Sequence, residues 1–504
     1  MKKLFAILKN KIIIHPILFS FLPILFLFQY NINEVPLFDI LIPLGLSIIP
    51  AVILWIPLAK LFGYTKSSLI TSYTLLVFVI FGNLHNVLLT QPEEILQILG
   101  KTTVLGAILL ISNIIFAIFI IKRKTIPNIT NPLNVMSITI VGFLLVSSLG
   151  YYIMNPIDEN LVNYFGEIDI PTPQSDYKPD VYMFVLDEFA GKTQLKLDFN
   201  YDLQPFENKL IEREFIVPTS FTNYPNTDFS LPSLMNMMYM DKVVEGMEND
   251  SRDFQTTTKI LRINNVMKIF QANDYDVVTF FGGMANAYNT QLVDKKLCAF
   301  GGFNPDLKKN YVLTYLPTSY FNEILLENKS REKLECVFKT FEDNTFVDNS
   351  KPKFVLAHLR LPHEPYLWDE NGNIMQNKDM YDKSAYLSQL KFTETKMLEI
   401  IDTIQSHSPN AVIIIFSDHG YRGDIDWENP KMIDYIRGFD TITALYFPDN
   451  YEKIPSEISN VNIFRVFFNS YFNADFEILE NKHMWYIYEK PYDHTKVSET
   501  FKET

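Results

Sequence analysis

Carboxylate and imidazole side chains stand just past two apolar runs that are far apart in the sequence. Asp187 follows the run 181–186, and Asp418 with His419 comes after the run 411–416. In an open α/β sheet, ligands and catalytic groups collect beyond the carboxyl ends of the strands. Oxygen and nitrogen donors of this kind suit a hard or borderline divalent cation. The two segments therefore predict one metal site made of Asp187, Asp418 and His419.

A segment rich in hydroxyl groups lies between these two pieces of sequence. Within 223–235, Thr227 directly precedes a helical pattern, so its side chain is expected at the amino end of that helix. Unpaired backbone N–H groups and the helix dipole favour negative charge there. A hydroxyl that touches a divalent cation can lose its proton and attack phosphorus. Thr227 is thus predicted to be a nucleophile and a metal contact; the alternative is an ordinary helix cap, a role that Thr performs well.

A third apolar run, 354–357, is followed by two imidazoles and a guanidinium. His363 is predicted to contact the leaving group or a phosphoryl oxygen, or to bind a second cation, with His358 and Arg360 lining the substrate site. Arg422, just past the second metal segment, is a further candidate for holding a tetrahedral anion, because a guanidinium binds such groups through paired hydrogen bonds. The competing interpretation is that these are structural histidines and surface arginines.

Hydropathy and charge divide the 504 residues into an apolar amino-terminal part and an acidic remainder. Residues 1–154 carry 10 Lys+Arg and 4 Asp+Glu, whereas the rest carries 34 and 54. Such acidity argues against a nucleic-acid partner, whose phosphates need a basic surface. The apolar part contains five segments of about 20 residues, the length that crosses a bilayer. They lie near 12–31, 40–59, 68–89, 102–121 and 135–154.

The charges of the connecting loops predict an orientation in the membrane. Basic residues precede the first span and follow the second and fourth, whereas the other loops are mainly acidic. Basic loops stay on the cytoplasmic side, so the amino terminus is expected inside. An odd number of spans then places residues 155–504 outside the cytoplasmic membrane.

The outer part reads as a proline-rich connector, 155–180, followed by an α/β catalytic domain, 181–504. Strands that alternate with helices predict a largely parallel sheet with helices on both faces. Strands are predicted at 181–187, 214–217, 276–281, 353–358, 411–416 and 442–447, and helices at 203–213, 228–240, 258–272 and 384–406. The only cysteines, Cys298 and Cys336, leave both a disulfide and two free thiols open, and are too few for a disulfide scaffold.

These motifs resemble those of the alkaline phosphatase superfamily, in particular its membrane-bound, sulfatase-like branch. That branch contains lipoteichoic acid synthases and phosphoethanolamine transferases, and its plan is five amino-terminal spans followed by an extracytoplasmic α/β domain. The segment that starts at Thr227, Thr-Asp-Phe-Ser-Leu-Pro, is similar to the transferase pattern Thr-x-x-Ser-x-Pro. The Asp-His-Gly motif carries Asp418 and His419, and His363 matches a substrate-side histidine. Asp187 takes the place of the first metal ligand, where many of these transferases have Glu.

The resemblance implies a membrane-anchored, metal-dependent phosphotransferase. It would move a phospholipid-derived head group, of the phosphoethanolamine or phosphoglycerol type, onto an envelope glycan or lipid through a phospho-threonine intermediate. The implied cofactor is a divalent metal ion, zinc or manganese before magnesium or calcium. Two departures matter: there is no histidine between His419 and His483 to complete a second metal site, and no Cys-x-Pro-Ser-Arg segment for formylglycine-based sulfate hydrolysis. The alternatives are a sulfatase-like hydrolase of phosphate or sulfate esters and a non-catalytic envelope scaffold.

Overall fold

The computed structural model forms two compact units, Met1–Ile157 with Phe303–Glu323 and Asp158–Gly302 with Ile324–Thr504. The predicted limits of the membrane region, connector and catalytic domain stay predictions. Much of the connector, 155–167 and 176–177, lies outside the described residues. The structure describes residues 12–30, 32, 40–89, 94–154, 168–175, 178–280, 290–298, 319–343, 351–376, 378–379, 381–450 and 453–497.

The first unit is built from apolar helices. They are α1 (His15–Tyr30), α2 (Leu41–Phe62), α3 (Tyr64–Leu89), α4 (Glu94–Gly100), α5 (Thr102–Lys122) and α6 (Thr130–Met154). Within the described residues, parts of α2, α3, α5 and α6 are long and apolar enough to cross a membrane, judged by length and composition. Helix α1 is apolar but shorter. Most of α2 and α5 is not buried within the unit, so their apolar side chains would face water unless lipid covers them.

A small group of buried polar side chains ties α1 to α3 and α6. Asn134 Oδ1 accepts hydrogen bonds from the backbone N–H groups of Ile14 and His15, both at 3.1 Å. His15 Nδ1 lies 2.6 Å from Ser72 Oγ. Since lipid offers no hydrogen-bond partners to the free N–H groups of a helix start, these contacts stabilise the beginning of α1.

The second unit contains a six-stranded sheet in the order β4-β3-β5-β1-β6-β7. Neighbouring strands are parallel except β6 and β7, which are antiparallel. The prediction of a mostly parallel sheet is confirmed. The strands are β1 (Val181–Leu186), β2 (Thr219–Phe221), β3 (Asp276–Phe280), β4 (Lys295–Leu297), β5 (Lys353–Leu359), β6 (Val412–Ser417), β7 (Thr443–Tyr446), β8 (Glu457–Ser459), β9 (His483–Ile487) and β10 (Lys490–Val497).

Ten helices of this unit are described: α7 (Lys192–Phe199), α8 (Gln204–Ile211), α9 (Thr227–Asn236), α10 (Asp241–Glu245), α11 (Gln255–Arg262), α12 (Asn265–Ala272), α13 (Ser319–Glu342), α14 (Lys383–His407), α15 (Met432–Phe439) and α16 (Ile463–Tyr471). One predicted helix is shorter than expected and another is divided. The helix predicted at 228–240 stops early because Met237 is left-handed, with φ 56°. The one predicted at 258–272 is interrupted where Asn264 accepts a hydrogen bond from Met267 N and starts α12.

The strand predicted at 214–217 is wrong. Only Ile216 pairs there, as an isolated antiparallel bridge to Leu445. Glu214 has a left-handed backbone, with φ 65°, and Pro218 has no N–H to donate. The chain therefore touches the sheet edge at one residue and does not run along it.

Both faces of the central sheet are covered, as predicted. In β1, Tyr182, Phe184 and Leu186 belong to one apolar core, whereas Val181 and Met183 belong to the other. All six residues of β1 are buried. Because the strand interiors are filled with apolar side chains on both sides, polar groups of the site are expected at the last residues of the strands and in the segments that follow them.

Cys298 and Cys336 form a disulfide, one of the two alternatives left open by the sequence. It joins the end of β4 to α13. Disulfides persist in oxidising compartments, which is consistent with a position outside the cytoplasm.

Candidate metal centre

Three adjacent strands end at the same level and bring distant parts of the sequence together. Leu186, the last residue of β1, pairs with Leu359 of β5 and Ser417 of β6. The segments that follow these strands therefore share one edge of the sheet. Asp187 leaves β1 at this edge, and Asp418 leaves β6.

The predicted metal ligands meet at this edge. Asp187, Asp418 and His419 offer ligand atoms that all lie within 4.8 Å of one another. His419 Nε2 is 3.4 Å from Asp187 Oδ1 and 3.7 Å from Asp418 Oδ2. Thr227 Oγ1 donates a hydrogen bond of 2.6 Å to Asp418 Oδ2. We call Asp187, Asp418, His419 and Thr227 the first group.

The first group fits a divalent cation. His419 and Asp418 are fully buried, and Asp187 is 7% exposed. Among the residues that the structure describes, Asp187 Oδ1 and His419 Nε2 have no hydrogen-bond partner. His419 Nδ1 contacts the carbonyl oxygen of Gly420 at 2.9 Å, so a proton on Nδ1 would leave the Nε2 lone pair facing Asp187. Buried polar atoms without partners are costly, and a metal ion held by these atoms would remove that cost.

Thr227 is the first residue of α9, and Asn226 holds the N-cap position without a side-chain capping bond. The hydroxyl of Thr227 points to Asp418, which is not the arrangement of a capping threonine. The residue is half-buried, unlike the fully buried ligands next to it. Its oxygen thus lies at the boundary between the first group and solvent.

Side chains behind the first group hold its ligands. His358 Nε2 is 3.5 Å from Asp187 Oδ2, and the His358 side chain is fully buried. Thr222 Oγ1 donates to the backbone carbonyl of Asp418 at 2.8 Å. Asn460 Nδ2 donates to the carbonyl of Ser417 at 3.0 Å. His358, predicted to line the substrate site, thus lies beside Asp187, a candidate metal ligand.

The loop after β6 is held by a glutamine that is more than 200 residues away in sequence. Gln194 accepts from Tyr421 N at 3.0 Å and donates to Tyr421 O at 2.6 Å. Asp440 Oδ2 accepts from Gln194 N at 2.7 Å. A side chain at Gly420 would collide with the backbone carbonyl of Arg437, so only glycine fits there.

A second set of ligand atoms lies in the same unit. Glu188, His363 and Glu364 place one ligand atom each within 4.8 Å of one another. His363 Nε2 is 3.9 Å from Glu188 Oε2, and His363 Nδ1 is 3.0 Å from Glu364 Oε2. Arg360 Nε contacts His363 Nδ1 at 3.3 Å. We call Glu188, His363 and Glu364 the second group.

Arg422 lies against the second group. Its Nη2 is 3.3 Å from His363 Nε2, and its Nε is 3.5 Å from Glu188 Oε1. Its Nη1 donates to Asn226 Oδ1 at 2.5 Å. The four histidines and arginines predicted around the substrate are therefore divided: His363, Arg360 and Arg422 surround the second group, whereas His358 supports the first.

Sequence reasoning missed Glu188, Glu364 and Asn226. Each is the sequence neighbour of a predicted site residue. For Glu188 the available signal was that two carboxylates, Asp187 and Glu188, follow β1 in succession. Glu188 has a left-handed backbone, with φ 66°, which accompanies the divergence of the two neighbouring carboxylates into different groups. No sequence pattern predicts the left-handed conformation of Glu188.

Burial and neighbouring charges set the ionisation of these residues. Burial lowers the pKa of His363 to about 3, so this imidazole is neutral at neutral pH. Burial raises the pKa of Glu188 to about 7, against the opposing effect of Arg422. Burial and Arg422 would lower the pKa of His419, but Asp418 and Asp187 raise it above its usual value. Burial would also lower the pKa of Arg422, yet Glu188 and Asp187 raise it, so the guanidinium is permanently charged.

Comparisons with known proteins place the chain in a family. The family model named Sulfatase matches residues 183–461, more than half of the chain. No curated protein matches it by sequence. Among solved structures, it is similar to the C-terminal periplasmic domain of EcEptC from Escherichia coli in complex with Zn, at 13% identity, 66% of this chain, 96% of that chain and a TM-score of 0.42. It is also similar to the lipoteichoic acid synthase LtaP from Listeria monocytogenes, at 14% identity, 68% and 94% coverage and a TM-score of 0.37.

The family match includes β1 from Met183 onward, β5, β6 and the loops that carry both groups of ligand atoms. It confirms the predicted resemblance and the predicted class of enzyme. The chain belongs to the sulfatase family.

Proposed function

We propose that the protein is a membrane-anchored, metal-dependent phosphotransferase. It moves a phospholipid-derived head group onto an envelope glycan or lipid through a phospho-threonine intermediate. The observation that carries this proposal is the hydrogen bond of 2.6 Å between Thr227 Oγ1 and Asp418 Oδ2, which puts a half-buried hydroxyl among candidate metal ligands.

Asp187, Asp418 and His419 would hold the divalent ion, with Thr227 Oγ1 as a further contact. Bound there, a divalent ion would supply Lewis-acid chemistry, which would favour loss of the hydroxyl proton and stabilise charge on the phosphoryl oxygens. One imidazole with two carboxylates favours zinc or manganese over magnesium or calcium, which prefer oxygen ligands only.

The first step forms a bond between Thr227 Oγ1 and phosphorus. Asp418 accepts the hydrogen bond of the hydroxyl and so orients its oxygen. Thr227 gives its hydroxyl proton to solvent, the bond from phosphorus to the lipid alcohol breaks, and the alcohol leaves with a proton from solvent. Arg422 pairs with a phosphoryl oxygen. His363 is a neutral imidazole whose Nδ1 lies 2.7 Å from the carbonyl oxygen of Glu364, so its Nε2 accepts from Arg422 and orients the guanidinium.

The second step releases the head group from Thr227. A hydroxyl of the acceptor attacks the phosphorus of the phospho-threonine diester, gives its proton to solvent, and displaces Thr227 Oγ1. The threonine regains a proton and the site returns to its starting state. Water in place of the acceptor would give hydrolysis, so the acceptor alone separates the two outcomes.

The membrane helices support a lipid donor. A domain tethered by α2, α3, α5 and α6 works next to a leaflet in which the donor is already concentrated. The basic loops favour a catalytic domain on the outer face of the cytoplasmic membrane. Phosphatidylethanolamine and phosphatidylglycerol are the donors to test.

The test uses full-length protein in detergent with head-group-labelled phospholipids, with and without envelope glycans. Thr227→Ala should lower turnover by about 10³-fold or more, because it removes the hydroxyl that forms the covalent intermediate. Mass spectrometry of the wild type should find the labelled head group on Thr227. Thr219→Ala, an exposed threonine of β2, is the matched control and should keep full turnover.

Three results separate the possibilities. Label transferred only when glycan is present supports the transferase. Lipid alcohol released equally without glycan indicates a hydrolase. Undiminished turnover in Thr227→Ala contradicts the threonine nucleophile in either case.

A further inference from the structure

The second group has the donors of a metal site, but a cationic side chain already lies against it. Two carboxylates and an imidazole with ligand atoms within 4.8 Å of one another are a set that divalent ions accept. Glu188 is fully buried and His363 is 8% exposed. A buried set of this kind needs a positive charge nearby, because isolated buried carboxylates are unstable in their ionised form.

Arg422 supplies that charge. Its guanidinium reaches two of the three residues of the second group, His363 at 3.3 Å and Glu188 at 3.5 Å. The backbone N–H of Arg422 also donates to Glu188 Oε1 at 3.0 Å. Asn226 accepts from the remaining edge of the guanidinium, so contacts on several sides hold it in place.

A divalent ion in the second group would have to share this space with the guanidinium. His363 Nε2, the atom that would bind such an ion, faces Arg422 Nη2. Two like charges at that separation repel strongly where little water screens them. The chain also carries no histidine between His419 and His483 that could complete a separate set of ligands.

The charges at the sheet edge balance with a single ion. Asp187, Asp418, Glu188 and Glu364 together carry four negative charges when ionised. One divalent ion in the first group, with Arg422 and Arg360, carries four positive charges. Arg360 contributes through Glu364, whose Oε1 is 3.7 Å from its Nη2.

We infer that Arg422 occupies the place of a second metal ion, so that the protein binds one ion per chain and uses the guanidinium as its other positive charge toward the phosphoryl group. This inference rests on the proposed function, because it assumes that the first group binds metal. It makes Arg422 a fixed part of the site whose charge does not depend on metal supply.

The test counts metal ions. Full-length protein in detergent is stripped of metal, saturated with zinc or with manganese, freed of unbound ion and analysed by plasma mass spectrometry. The wild type should hold one ion per chain. Arg422→Ala should hold two, because Glu188 Oε2, which lacks a hydrogen-bond partner among the described residues, and His363 Nε2 then become available.

Three further variants control the count. Arg422→Lys keeps the charge and should hold one ion. Arg422→Ala combined with Glu188→Gln should return from two ions to one, because the second set loses a ligand. Arg213→Ala removes a surface arginine that pairs with Asp402 and should hold one ion. Circular dichroism verifies that each variant is folded, and Arg422→Gln replaces Arg422→Ala if the latter is not.

Each count decides something. Two ions in the wild type overturn the inference but leave the proposed function standing. One ion in the folded Arg422→Ala or Arg422→Gln protein also overturns it, since the vacated place would then not be a cation site. No ion in the wild type overturns the metal-dependent function itself, and the inference with it.

Discussion

The first and second groups are made from similar side chains at one edge of the sheet, yet they differ in what neutralises them. In the first, Asp187, Asp418 and His419 face one another, and Thr227 adds a hydroxyl. In the second, Arg422 lies against the ligand atoms. A cluster of carboxylates and imidazoles therefore identifies a cation position, and the neighbouring side chains decide whether metal or protein supplies the cation.

The two groups share the loop after β1, and the loop after β6 contacts both. Asp187 and Glu188 are consecutive residues after β1, and each belongs to a different group. The loop after β6 gives Asp418 and His419 to the first group and carries Arg422 to the second. One edge of a parallel sheet can thus build two neighbouring cation positions with few residues.

The largest difference is expected between Asp418→Asn and Glu188→Gln. Asp418→Asn should lose the metal ion and lower turnover by about 10³-fold or more, because it removes a ligand charge and the acceptor of the Thr227 hydrogen bond. Glu188→Gln should keep one ion and lose about tenfold to a hundredfold in turnover, since only the placement of Arg422 suffers. Metal content and turnover of the two purified variants check this. Equal loss of metal in both would mean that the groups form a single site.

A smaller effect is expected for His358→Phe, which removes a side chain that positions Asp187 in the first group and leaves the second group unchanged. His358 contacts Asp187 Oδ2 at 3.5 Å, so its removal should weaken metal affinity by about tenfold to a hundredfold. Excess metal should restore turnover, and metal titration of the variant measures the shift. His407→Phe, at the exposed end of α14, is the control. Unchanged affinity in His358→Phe would show that Asp187 is held by other contacts.

The smallest effect on metal content and turnover is expected for Asp440, which supports the loop after β6 through Gln194 and acts mainly on stability. Burial raises the pKa of Asp440 to about 7, against hydrogen bonds from Gln194 and Thr193. The folded protein therefore binds this proton more tightly than the unfolded chain, and the resulting stability is lost as pH rises from about 4 through about 7. Asp440→Asn should remove that dependence, which is worth on the order of 4 kcal/mol because each tenfold change in proton affinity corresponds to about 1.4 kcal/mol.

Thermal unfolding followed by tryptophan fluorescence between pH 4 and pH 8 measures the effect of Asp440→Asn. As pH rises, the unfolding temperature of the wild type should fall relative to that of the variant. Asp402→Asn, on the exposed side of α14, serves as the control. A difference that does not change with pH would exclude a protonated Asp440 in the folded state.

The sequence predicted the sheet and the first group because both follow from local patterns. Apolar runs predicted β1, β5 and β6. Since ligands collect beyond the carboxyl ends of parallel strands, Asp187, Asp418 and His419 were expected to lie together. The hydroxyl of Thr227 was predicted from its position before a helix. The antiparallel direction of β7 and the short strands β2 and β8 were not predicted, since runs of three or four residues carry little periodicity.

The second group and the supports of the site could not be predicted, because they depend on contacts between distant residues. The two hydrogen bonds between the Gln194 side chain and the Tyr421 backbone join residues 227 positions apart. The divergence of Glu188 from Asp187 accompanies a left-handed residue in a position that no glycine marks. Arg422 was singled out as an anion binder, but its contacts with Glu188 and His363 appear only in the folded chain.

Anomalous diffraction from crystals soaked in zinc or manganese, recorded on both sides of the absorption edge of the metal, tests the central claim most directly. One peak is predicted, in contact with Asp187, Asp418 and His419 and near the hydroxyl of Thr227, at ligand distances of about 2.0–2.2 Å. A peak in the second group with none in the first, or no peak at either place, would contradict the account.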